Sequence, residues 1–161
     1  MIRALTMVAG LTGAVGMSQF PEFSQQYLQR LSGARAELMV IAKGFDFTAQ
    51  TAGYTRDEAL AAMGGSEFQN GLRDQMAGNL TRYDRLDAAY ASLKQSDPLM
   101  RLTKLWHFRD TDLVQDTWEE FRPALPVTAD GLICAAIGFV GGWSLVSFLL
   151  GLILMPFRRF A

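Results

Sequence analysis

Twenty-five consecutive residues without a charge, Gly131 to Met155 (GLICAAIGFVGGWSLVSFLLGLILM), constrain this chain more than any other feature. As one helix they extend about 37 Å at about 1.5 Å per residue. That exceeds the roughly 30 Å hydrocarbon core of a bilayer. Thr128 and Asp130 offer capping oxygens where the run begins. Pro156 closes it, and Phe157-Arg158-Arg159-Phe160 adds a basic, aromatic flank of the kind that anchors a span at its interface. The sequence predicts a transmembrane helix over residues 128–157 and a basic tail at 158–161.

Half of the 161 residues are hydrophobic and 19% are charged. That is an ordinary soluble average, but the charges are sorted. All 16 acidic residues lie between Glu22 and Asp130, and only Arg3, Arg158 and Arg159 are charged outside that window. With 12 of the 15 Lys and Arg inside it, the middle carries a net −4 and the ends +3. Basic flanks stay in the cytoplasm, so both termini are expected there and the middle in the periplasm, as in a multi-pass inner-membrane protein. A near-neutral total argues against a nucleic-acid partner.

A weaker apolar segment, Ala4 to Phe20 (ALTMVAGLTGAVGMSQF), follows Met1-Ile2-Arg3. About 17 residues is the lower limit for a span. The expectation is a first transmembrane helix over residues 2–20; a cleaved secretory signal and an interfacial or buried helix are the alternatives. Both segments carry small residues at helical spacing. Gly131, Ala135, Gly138 and Gly142 share one face of the second, and Gly10, Gly13 and Gly16 leave a smooth strip on the first. Small residues let helix backbones approach closely where no hydrophobic effect drives association. These seven are the candidate helix–helix contacts, either between the two spans or between copies.

Residues 21–127 read as an extramembrane helical domain. Tyr27, Leu28, Leu31, Ala34, Leu38, Ile41, Ala42 and Phe45 step by three and four, so the first helix is expected to continue, kinked at Pro21, to Lys43 or Phe45. Gly44 to Tyr54 (GFDFTAQTAGY) breaks the period and reads as a turn. Thr55-Arg56-Asp57-Glu58 spells a capping box, and Ser66 with Gln69 restarts a helix after Gly64-Gly65. Phe68, Leu72, Met76, Leu80, Tyr83, Leu86, Tyr90 and Leu93 then form a long stripe backed by a charged face. Stripe on stripe gives an antiparallel hairpin; a self-associating coiled coil is the rival use of the same residues. Asp97-Pro98 starts another helix through LMRLTKLWHFR, and Asp110 to Phe121 a further one. Trp106, Phe108, Trp118 and Phe121, with Arg158 and Arg159, are candidates for the membrane interface; packing on the hairpin core is the alternative for the aromatics.

The chain lacks a phosphate loop, a nucleophile elbow, a dinucleotide fingerprint and a C-x-x-C pair. Its only histidine, His107, and only cysteine, Cys134, have no metal-ligand spacing around them. No ionisable residue interrupts either apolar segment, so the usual mark of an ion pathway is missing. Asp110 and Asp112 read as helix-start and solvated-face residues. An enzyme is therefore not expected, nor a resident cofactor or metal.

The junction Ser18-Gln19-Phe20-Pro21-Glu22-Phe23 with Gln25-Gln26-Tyr27, and the later Trp118, Phe121, Pro123, Pro126, Thr128 and Gly131-Leu132, resemble a proteobacterial family of short membrane proteins known only as a domain of unknown function. The resemblance covers nearly the whole chain. It implies two spans with a helical middle and carries no activity or site residues. The combined expectation is an all-α protein, a membrane hairpin of two transmembrane helices with an antiparallel helical hairpin between them. Its expected role is a non-catalytic structural or accessory subunit, or an assembly factor, of a membrane complex. It would meet lipid and a membrane-protein partner or further copies of itself. The alternative, motivated by Trp106, His107 and Trp118, is a carrier of a hydrophobic ligand such as a quinone, lipid or tetrapyrrole.

Overall fold

The computed structural model describes residues 2–154. The Met155–Phe160 segment, with the expected anchors Arg158 and Arg159 and the 158–161 tail, lies outside the described residues. Within them the chain is all-helical without strands. The elements are α1 (Ile2–Ser18), α2 (Phe20–Thr51), α3 (Arg56–Ala62), α4 (Glu67–Lys94), α5 (Pro98–Leu102), a 3-10 turn (Leu105–His107), α6 (Thr111–Glu119) and α7 (Ala129–Leu154). They divide into two compact units.

The first unit comprises Met1–Gln26, Asp97–Lys104 and Gln115–Ala161. Its main feature is α1 laid antiparallel along α7: Ala9 meets Gly142, and Gly13 meets Gly138. By length and composition one described helix is able to cross a membrane, Ala129–Ile153, with mean hydropathy 2.0. The 17-residue α1 is shorter, so of the two-span hairpin expected above the described residues show a helix pair in which one member, α7, is long and apolar enough to span. Thr128 starts α7 as predicted, its Oγ1 accepting the Gly131 amide at 3.2 Å. The break after α1 falls at Gln19, not at Pro21. Pro21 sits in the first turn of α2, where a missing N–H costs nothing, so it starts the second helix instead of kinking a continuous one.

The second unit comprises Tyr27–Ser96 and Leu105–Val114. Its core joins Tyr27, Leu28 and Leu31 of α2 to Leu86, Ala89 and Leu93 of α4, with Leu113 of α6. Arg35 of α2 pairs with Asp87 of α4. Arg56 ties Asp46, near the end of α2, to Asp84 of α4 at 2.6 and 3.2 Å, so the two helices run antiparallel. The α4 stripe is thus spent inside the chain from Leu80 to Leu93, while Phe68 and Leu72 at its start stay exposed. Both capping boxes form: the Thr55 hydroxyl accepts from the Glu58 amide, and Ser66 from Gln69.

One expected turn is helix. α2 continues through Gly44-Phe45-Asp46-Phe47 to Thr51. Thr48 and Thr51 return their hydroxyls to the carbonyls of Gly44 and Phe47 at 2.9 and 2.8 Å, and Ala49 is buried. These local bonds and one tertiary contact outweigh the weak helix propensity of the segment. The real stop is Gly53 at φ +82°. The Tyr54 amide reaches the Ala49 carbonyl at 2.9 Å and the Gly53 amide reaches Gln50 at 3.0 Å, the two bonds of a Schellman end. The helix expected through LMRLTKLWHFR also differs: it stops at Leu102, and only Leu105–His107 resumes, as a 3-10 turn.

Candidate functional site: a small-residue seam and the clasp at its foot

The α1–α7 contact is made by backbone. A Cβ placed on Gly138 would lie 2.1 Å from the Gly13 carbonyl oxygen, and one on Gly13 would lie 2.2 Å from that of Gly138. A Cβ on Gly142 would meet the Ala9 carbonyl at 2.4 Å, and one on Gly10 the Phe139 ring at 2.8 Å. At Gly13, Gly138 and Gly142 the obstacle is backbone, so no larger residue fits without moving a helix; at Gly10 the Phe139 ring would have to shift. The other three candidates sit elsewhere. Gly16 has open space around it, Gly131 backs onto Pro126 and Thr128, and Ala135 is half-buried. Their neighbour Cys134 is the residue fully buried on that stretch of α7. On α1 the seam also buries Thr6, whose hydroxyl is spent on the Arg3 carbonyl at 3.1 Å. The spacing Thr6, Gly10, Gly13, Met17 was there to find it, since threonine is also small.

The outward faces of this pair are the reverse of a soluble core. Leu11 is 56% exposed, Val15 67%, Leu145 60% and Phe148 64%. Small residues make the closest contacts between the helices, joined by Met17 and Phe139, while most of the large aliphatic and aromatic side chains point outward. Exposed apolar surface of this extent is uncommon on a soluble monomer.

At the foot of the seam the residues of the Ser18–Gln26 motif acquire roles. The Gln19 side chain donates to the Ala124 carbonyl at 3.2 Å and accepts from the Ala124 amide at 3.1 Å. Gln26, two turns on, does the same to Arg122 at 3.2 and 3.4 Å. Each amide copies what a neighbouring β-strand would offer, and the extended segment before α7 is pinned at two alternate residues. Phe23, between them, meets Trp118 and Phe121 edge-on at 6.3 and 5.9 Å. Arg101 of α5 donates to Ser24 Oγ and Gln25 Oε1, each at 3.2 Å. Burial pulls its guanidinium below the usual arginine range, partly offset by Asp97. Trp118 remains 71% exposed, and Leu125 and Val127 are both more than 80% exposed.

The other aromatic candidates belong to the second unit. Phe108 packs on Tyr27 with ring centroids 4.5 Å apart and is half-buried on the core. Trp106 is 55% exposed and leans on His107. Together with Arg85, Arg109 and Asp110 they line a cleft of about 250 Å³. Asp110 is buried there, contrary to its reading as a solvated-face residue. It accepts from Arg82 through two nitrogens at 3.1 and 2.9 Å, from Arg85 at 2.8 Å, and from the Leu113 amide at 3.3 Å. Burial alone would raise its pKa, but these hydrogen bonds together hold the carboxyl below its ordinary value. The Tyr27 hydroxyl donates to the His107 carbonyl at 3.3 Å, and burial, followed by the charge of Asp110, pushes its pKa up to about 12. A buried carboxylate clamped by two arginines is a structural tie, its lone pairs already occupied. No cluster of three or more His, Cys, Asp or Glu able to hold a metal occurs among the described residues.

No curated protein and no solved structure matches the chain. Residues 1–159 match the family described as Protein of unknown function (DUF2937), and with its whole described length covered, the chain belongs to that family.

Proposed function

We propose that this protein is a two-pass inner-membrane protein, α1 and α7 being its spans, that serves without catalysis as a structural or accessory subunit or an assembly factor of a membrane complex. One observation carries the membrane part: the α1–α7 pair turns glycine inward and its bulky apolar side chains outward. In water that arrangement exposes what the hydrophobic effect would bury. In lipid it costs nothing, and close glycine packing supplies the association. The clear membrane candidate among the described helices is α7; the shorter α1 crosses as its packed partner. Exposed Trp118, Leu125 and Val127 before α7 suit the headgroup level. The sorted charges support a topology with both ends in the cytoplasm and the acidic middle in the periplasm.

The test has two parts. Alkaline carbonate washing of membranes should leave the protein in the pellet, and reporter fusions at either end should read cytoplasmic. Purification in mild detergent should then return a particle heavier than one chain. Release by carbonate would refute the membrane reading, and a lone monomer without companions the subunit reading. The ligand-carrier alternative has less behind it. Its residues fall into different units, with Trp118 in the first and Trp106 and His107 in the second. The cleft of about 250 Å³ is also smaller than the roughly 300–1,000 Å³ of typical ligand pockets.

A further inference from the structure

The cleft beside Asp110 lies wholly within the second unit, and the fold does not use all of its lining. Helix α4 contributes Ala88 and Ala89, which present only methyl groups. The turn Leu105–His107 sends neighbouring aromatics to different places: Phe108 packs on Tyr27, while Trp106 stays 55% exposed at the cleft. Methyl groups from one element and an exposed indole from the other leave a space of about 250 Å³. Its charges do not balance. Asp110 is answered by Arg82 and Arg85, and Asp112 lies 3.6 Å from Arg82 as well. Arg85 gives Asp110 one nitrogen and keeps its side chain 56% exposed, so further N–H donors remain to it. Arg109 is exposed and has no ion pair among the described residues. Three arginines thus stand against two aspartates, a local +1 in a middle segment that carries −4.

We infer that this cleft binds a small organic monocarboxylate, its apolar body against Trp106 and the two alanines and its carboxylate on Arg85 and Arg109. A guanidinium meets a carboxylate through paired N–H donors, and an indole offers a broad apolar surface to the rest of the molecule. One carboxylate cancels the local +1, whereas a phosphate monoester would bring about −1.5 to −2. A volume too small for a quinone or a tetrapyrrole suits a single ring. The site uses residues of the second unit alone and does not rest on the membrane reading.

Phenylacetate is the probe, titrated into the full-length, isotope-labelled protein in mild detergent and followed through amide chemical shifts. Shifts are expected at residues 85–89 and 105–110, with a dissociation constant of about 1 mM for about ten non-hydrogen atoms. Phenylacetamide, which keeps the ring and loses the charge, should bind about tenfold more weakly or worse. Inorganic phosphate, which has the charge without the ring, should do no better. Arg109→Gln should weaken phenylacetate by about tenfold, and it leaves the Asp110 tie intact because Arg109 takes no part in it. Ala88→Phe, at an exposed position on the cleft, should fill the space and abolish the shifts. Absence of local shifts with phenylacetate, equal binding of phenylacetamide or phosphate, or undiminished binding in Arg109→Gln or Ala88→Phe would each overturn the inference. A protein that is stripped from membranes by carbonate yet passes these tests would sink the membrane reading and leave this one standing.

Discussion

Replacing Gly138 by alanine puts the α1–α7 seam to a quantitative test. The new methyl would sit 2.1 Å from the Gly13 carbonyl oxygen and 2.6 Å from Met17 Cβ. Carbonyl and neighbour both belong to a packed helix, so relief requires the axes to part by about 1 Å. A gap of that size forfeits roughly a quarter to a half of the dispersion contact across the seam. Overpacking of this kind costs about 1–3 kcal/mol, and the gain in helix propensity from Gly to Ala returns about 0.5–1 kcal/mol. Because the obstacle is backbone, the upper part of the overpacking range, about 2–3 kcal/mol, applies, and a net of about 1–2 kcal/mol shifts the open–closed equilibrium of the helix pair by about 5–30-fold.

Cys134 supplies the assay. It is the chain's only thiol, wholly buried, and one turn from Gly138. A maleimide reaches it only when the pair opens, so under slow labelling the rate follows the open population. Gly138→Ala and Gly13→Ala should therefore label about 5–30 times faster than wild type. Gly16→Ala and Gly141→Ala, where nothing lies within 4 Å, should stay within about twofold, since neither meets a neighbour. Equal acceleration in all four would refute the close-approach argument, as would wild-type rates in the first two.

The clasp, the end of α2 and the buried ionisable groups give three further expectations. Gln19→Ala removes both bonds to Ala124 and should cost about 1–2 kcal/mol at this partly solvated site, read as faster amide hydrogen exchange at residues 122–127. Gly53→Ala forces a side chain at φ +82° and should lower stability by about 1–2 kcal/mol in denaturant titration, whereas Gly33→Ala should not. Tyr27 titrates near 12 when folded against 10.0 when free. Its contribution, up to about 3 kcal/mol, is complete below pH 10 and is lost as pH rises from 10 to 12; Tyr27→Phe should flatten that limb of the melting-temperature profile. Asp110, held low, acts oppositely: its contribution is present above the ordinary carboxylate value and fades as pH falls through the folded one.

What the sequence disclosed divides by range. Capping at Thr55, Ser66 and Thr128 involves partners three residues away, so the spelling sufficed. The stop at Gly53 was equally local, but nearby Gly44 and the threonines blurred it. Asp110 was illegible because its arginines lie 25 and 28 residues back, on another helix. Among the glycines, Gly13 and Gly16 looked alike. Three residues turn a helix by about 300°, enough to take Gly16 off the line that Gly13 holds. The outward phase of the strip was visible in the sequence; which edge of it touches depends on the partner helix. Gln19 and Gln26, seven apart on one face, carried a readable signal of a shared task.

The clasp also answers a problem the seam creates. Four glycine contacts offer no hydrogen bond to fix one helix against the other, and van der Waals contact alone tolerates sliding. Yet the register has little freedom. Turning α7 by one residue, about 100°, would swing Ile137 or Phe139 toward the Gly13 carbonyl in place of Gly138, where the gap leaves no room even for one methyl. The clasp at the foot supplies the directional bonds that the seam lacks. Gln19 and Gln26 fix Ala124 and Arg122, Thr128 starts α7 four residues after the first of these, and Gly131 follows against Pro126. From that starting point helical periodicity alone carries Gly138 and Gly142 to Gly13 and Ala9. On this account the Ser18–Gln26 motif is an indexing device for the glycine seam, and polar groups at the foot decide which apolar faces meet above.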